Sequence, residues 1–238
     1  MKRITFAPLF ALVALAFAAC DDGRIYNEEK FNTEGRVAKL TGTLVGMENW
    51  PSGYSIAIAG FKDGDDYAVI SRALTEVDGN VTVLMTNISD DVTNIQLCVL
   101  DRLRRCVTTF YEAETDGIRD TVRIEVGTLD VSMLAAIQTG YFSTTCANCH
   151  GASNRAAAGL YLTEGRSYGS LVNMPSAKVE GHKLVEPGNA ENSVLHMVLN
   201  QQSVEGISMD HRDLVSEKNE QSILPLIDAW INNGAPEQ

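Results

Sequence analysis

The chain has 238 residues, with 31 Asp and Glu against 19 Lys and Arg, for a net charge of −12. That excess of acid excludes a nucleic-acid binder, which needs a basic face for phosphates. A mean hydropathy of −0.06 excludes a polytopic membrane protein, while 45% apolar residues suffice for a buried core in one or two domains. Five cysteines cannot all pair with one another.

Residues 1–19 open with Lys2 and Arg3, continue as an apolar run from Ile4, and close on Ala18-Ala19. This is the pattern of a secretory signal, too short for a spanning helix. Small residues directly before Cys20 resemble a bacterial lipobox, although Phe17 departs from the usual Leu. The resemblance implies cleavage before Cys20 and acylation of that cysteine, with acyl chains anchoring the protein to the cell envelope. The competing reading is ordinary cleavage with Cys20 left as a thiol. Residues 20–34 are polar and charged and read as a tether, roughly 50 Å long when extended. Which membrane and which face are left open.

From about Val37 to Val126 apolar residues recur with period 2, as in Tyr54-Ile56-Ile58, Val81-Val83-Met85, Ile95-Leu97-Val99 and Val122-Ile124-Val126. Turn clusters such as Trp50-Pro51-Ser52-Gly53 and Asp78-Gly79-Asn80 separate them. Seven strands are predicted, near 38–45, 54–60, 67–73, 80–86, 95–100, 105–111 and 121–127. Short strands with turn residues between them indicate an antiparallel, immunoglobulin-like β-sandwich over residues 35–128. Cys98 and Cys106 fall on consecutive strands. A register that sets them opposite each other also sets Leu97 opposite Val107 and Ile95 opposite Thr109. It keeps both cysteines on one face and the large apolar residues on the other. A disulfide between them is expected, as a staple without catalytic meaning.

After Thr128 the period becomes helical, over Leu129 to Ser143, Glu191 to Asn200 and Ser222 to Asn233, in a second domain of residues 129–238. Within it, Cys146-Ala147-Asn148-Cys149-His150 is C-x-x-C-H, the attachment sequence of c-type haem. Two thiols on one helical turn can add to two vinyl groups on one haem edge, and the next residue supplies an imidazole to the iron. A thioredoxin-like pair would need a βαβ setting, and a structural zinc site a second ligand pair close by. Neither is present in the pattern. A single C-x-x-C-H also excludes a dihaem peroxidase. Gly165-Arg166-Ser167-Tyr168-Gly169 and His211-Arg212-Asp213-Leu214 match fragments of hydrolase and kinase motifs, but each lacks the context its chemistry needs.

Residues 130–236 resemble class I cytochrome c, in the form common in planctomycete and myxobacterial proteins. The resemblance rests on C-x-x-C-H, on Tyr141-Phe142 before it, on Tyr168 to Asn173 and Val185 to Ser193, and on the closing Ala229 to Ala235. It implies an all-α domain with Trp230 packed near Tyr141 or Phe142. It further implies one covalent haem c held by Cys146 and Cys149, with His150 as proximal ligand and a methionine opposite. The matching methionine is Met209, followed by Asp210 where the family has Pro. His211 is its main rival. Met174, Met197, His182 and His196 are the other candidates in the domain.

The expectation is therefore a lipid-anchored monohaem carrier of single electrons, not an enzyme, whose acidic surface suits a redox partner with a basic docking face. The alternative is a haem-containing sensor or binding lipoprotein whose sandwich recognises a partner.

Overall fold

A computed structural model describes residues 35–75, 78–151 and 156–238. The leader, Cys20 and the tether lie outside the described residues. Among those residues seven strands form: β1 (Arg36–Val45), β2 (Tyr54–Phe61), β3 (Ile70–Ala73), β4 (Gly79–Ile88), β5 (Asn94–Asp101), β6 (Cys106–Glu114) and β7 (Thr121–Asp130). They make two sheets, ordered β4-β1-β7 and β3-β2-β5-β6.

Alternation along each strand decides which face is apolar, and the sheets close on those faces. Ala38, Leu40 and Leu44 of β1, Val122 and Ile124 of β7, Ile56 and Ile58 of β2, and Ile95, Leu97 and Val99 of β5 share one core. The other face of the four-stranded sheet is also covered. Ala57, Ala59, Phe61, Ala68, Cys98 and Leu100 form a smaller cluster there, with Cys106 packed against it. Arg36 is buried among carbonyls, its guanidinium donating to Ser89 and Val92 at 2.7 Å and to Thr115 at 3.2 Å. It ties β1 to the turns that flank β5 and β7.

The chain after β7 carries short helices: α1 (Met133–Ile137), α2 (Ala147–His150), α3 (Ser167–Leu171), α4 (Val194–Asn200), α5 (Glu217–Gln221) and α6 (Ile223–Asn232). A π-helical stretch, Gln138–Cys146, joins α1 to α2. Ser132 caps α1, its hydroxyl accepting from the Ala135 amide at 3.2 Å. Pro225 falls in the first turn of α6, where its missing N–H costs nothing. Gly234 (φ +89°) ends that helix. Its amide donates to Ile231 and that of Ala235 to Trp230, so the last carbonyls are satisfied.

The expected architecture, an antiparallel immunoglobulin-like sandwich followed by an all-α cytochrome c domain, is corrected on both counts. β1 and β7 pair in parallel, so the three-stranded sheet is mixed. Period-2 alternation reports faces but neither neighbours nor strand direction. The C-terminal half is not all-α. Its longest helix has 10 residues, and residues 172–193 are held by isolated bridges, Val172 to Val185, Pro175 to Lys183 and Lys183 to Ser193. Pro175, Gly181, Pro187 and Gly188 interrupt helical hydrogen bonding through this stretch.

The core also continues from the sandwich into Met133, Ile137, Tyr141, Phe142, Ile223, Ile227 and Trp230. The described residues from Gly35 onward therefore pack as one compact unit. The expected β5–β6 register is corrected too: Leu97 lies opposite Tyr111, Cys98 opposite Thr109 and Leu100 opposite Cys106. Two irregularities in β6 displace the pairing while leaving both cysteines on the expected face.

Candidate functional site

The C-x-x-C-H residues sit where the π-helical stretch passes into α2. Cys146 closes the former, Cys149 lies three residues on, and His150 ends α2. Cys149 is exposed and Cys146 half-buried. Burial pushes the Cys146 thiol up to about 12, with the nearby Cys149 adding to the effect. The helix must stop at once after His150, and Gly151 allows it: a Cβ there would stand 2.3 Å from the Ala147 carbonyl oxygen.

Backbone groups hold His150, the Leu160 carbonyl among them. Its Nδ1 donates to the Ala157 carbonyl at 3.1 Å, and its own carbonyl accepts from the Leu162 amide at 2.8 Å. Behind it, the buried Gln138 donates to the Leu162 carbonyl at 3.1 Å and to Ser143 at 2.9 Å, and accepts from Ser167 at 2.6 Å. Burial lowers the pKa of His150, and the His211 charge lowers it further against the opposing pull of the Ala157 carbonyl. The neutral imidazole is the form that ligates metals, and Nδ1 committed to a carbonyl makes Nε2 the nitrogen a metal would take.

Gln138 and Ser167 were not foreseen as site residues. The one sequence signal was a glutamine on the apolar stripe with Leu134, Ile137 and Tyr141. Ser167, the serine of the hydrolase-like match, spends its hydroxyl on Gln138 at the start of a five-residue helix.

The loop expected to supply the opposite ligand lies nearby. The His150 and His211 ring centres are 6.2 Å apart, with planes inclined by 18°. His211 Nδ1 donates to the Met209 carbonyl at 3.0 Å. The Met209 side chain is exposed, at 46%. Asp210, in place of the family's Pro, accepts from the Arg212 amide at 2.9 Å and so sets the turn. Arg212 then pairs with Glu220 of α5.

The two remaining histidines are engaged elsewhere. His182 Nδ1 donates to the Asn192 carbonyl at 3.2 Å, and His196 Nδ1 lies 2.7 Å from Asp228. Met174 is exposed, and Met197 is half-buried on α4. Cys98 and Cys106 are free thiols on the outer face of the four-stranded sheet.

Two thiols on one turn, a positioned imidazole and a second imidazole close by fit a haem that brings its own four nitrogens. Among the described residues no group of three or more His, Cys, Asp or Glu is placed to hold a bare ion. A cavity of about 300 Å³ opens between Tyr54, Arg102, Val107, Ser222 and Pro225, and none of the site residues lines it. Compared with known proteins, the chain matches no family model, no curated protein and no solved structure.

Proposed function

We propose that this protein is a monohaem c-type electron carrier, tethered to the cell envelope through a lipid on Cys20. The observation that carries the reading is the C-x-x-C-H turn with His150 already held by the Ala157 carbonyl. When bound, the haem supplies a reversible one-electron change at iron. The chain does the rest. Cys146 and Cys149 would hold the haem edge through thioethers, each thiol adding across a vinyl group without an external oxidant. His150 would supply a neutral imidazole to the haem, and the loop 206–211 would supply a second ligand. Gln138 and Ser167 hold the helix against the loop beyond His150, which would keep the imidazole in place. The acidic surface favours a partner with a basic docking face, and screening by salt weakens that attraction.

Expression alongside a c-type maturation system tests this. The expected product carries one haem that survives denaturation, with a low-spin ferrous spectrum unchanged by CO. Replacing both Cys146 and Cys149 with Ala should abolish the covalent attachment. A wild-type protein without covalent haem would overturn the reading, and a high-spin haem that binds CO would replace the carrier with a sensor or peroxidase.

A further inference from the structure

His150 and His211 are two of only four histidines in the chain, and they come together from segments sixty residues apart in sequence. Each ring spends Nδ1 on a backbone carbonyl of its own segment, Ala157 for one and Met209 for the other. An Nδ1 committed to a carbonyl is the arrangement that orients ligating histidines and makes Nε2 the ligating nitrogen; the Leu160 carbonyl is a further backbone partner of His150. Imidazole nitrogens bind transition metals at about 2 Å, so two rings sharing one ion hold their centres about 6 Å apart. The observed separation is 6.2 Å. Met209, by contrast, has an exposed side chain and contributes its carbonyl to His211.

Resting on the haem reading above, we propose that His211 is the second axial ligand, opposite His150, and that Met209 is a positioning residue. The turn is built for this. Asp210 accepts from the Arg212 amide, the His211 carbonyl accepts from Leu214 at 3.0 Å, and Arg212 is clamped to Glu220. His211 is thus held at the start of a short 3₁₀ turn, Arg212–Leu214, anchored to α5. Two imidazoles give a lower potential than imidazole with thioether. The partners would then be low-potential donors and acceptors.

The test uses the full-length, haem-loaded protein. Oxidised wild type should lack the far-red sulfur-to-iron absorption, and Met209→Leu should leave the low-spin spectrum in place. His211→Ala should keep its covalent haem by mass, become high-spin and bind CO, and return to low spin on addition of imidazole. His211→Met should raise the potential. A thermal melt of each variant reports whether the fold is kept, and imidazole rescue distinguishes a lost ligand from a lost fold. A sulfur-to-iron band in wild type, its loss in Met209→Leu, or an unchanged spectrum in His211→Ala would overturn His211 while leaving the haem reading intact. Absence of covalent haem would overturn both.

Discussion

Cys98 and Cys106 share the outer face of the four-stranded sheet, yet their surroundings treat the two thiols differently. Contact with the Cys106 thiol and full burial together push the Cys98 pKa well up. The Cys106 thiol is lowered by that same contact and by Thr109, whose hydroxyl lies 3.4 Å from the sulfur, against the opposing effect of burial. The first proton to leave the pair is therefore the one on Cys106. In reduced protein, alkylation mapped by peptide mass should label Cys106 before Cys98, with an onset below the pH at which an ordinary thiol reacts. After oxidation neither should label. Equal labelling of both thiols in the reduced protein would refute the asymmetry. The sequence showed that the two cysteines share a face, because alternation alone fixes that. It could not show their offset, because the irregularities in β6 depend on local backbone geometry that no residue type in Cys106 to Thr109 announces.

At the level of elements, the helical half meets the sandwich along β6, and Gly140 sits tightly against it. A Cβ there would lie 2.5 Å from the Thr108 hydroxyl, which itself donates to the Ala136 carbonyl at 3.3 Å. Gly140→Ala should cost about 1–3 kcal/mol by forcing the π-helical stretch away from β6, measured as a shift of the urea midpoint without a change in slope. Combining it with Thr108→Ala should recover part of the loss, since the obstructing oxygen is gone. An unshifted midpoint in Gly140→Ala would show that the contact yields freely. This seam marks the limit of what the chain's patterning discloses. The seven strand positions, the Ser222 start of α6 and its Gly234 stop are local and were readable from turn residues, caps and period. The parallel partnership of β1 and β7 and the packing of Gly140 on Thr108 join residues far apart in sequence. Neither leaves a periodic trace. The C-x-x-C-H motif was legible because its residues are contiguous, whereas the closeness of His211 to His150 emerged only when the loop was placed against the helix.

For the whole molecule, the continuous core has a consequence that two independent domains would not share. Ile56, Leu97 and Val107 belong to the same apolar cluster as Tyr141, Ile223 and Trp230. Polar ties cross the same seam: Trp50 donates to the Val131 carbonyl at 3.1 Å, Asn233 to Asn49 at 2.7 Å, and Arg105 to the Gln221 side chain at 2.8 Å. Losing either half would expose the apolar face of the other, so residues 35–238 should unfold in one cooperative transition. Trp50→Phe isolates Trp230, which is wholly buried in the helical half, as the sole tryptophan reporter. Release of its fluorescence in urea should coincide with loss of the far-ultraviolet circular dichroism of the strands. Removing the Trp50 hydrogen bond should lower both midpoints together, by about 1 kcal/mol. If the fluorescence transition separated from that of the strands, the halves would be folding on their own, and the shared core would be a contact surface between them. A single transition would mean that stability gained by any ligand bound at His150, the proposed haem included, extends to the sandwich and raises its midpoint as well.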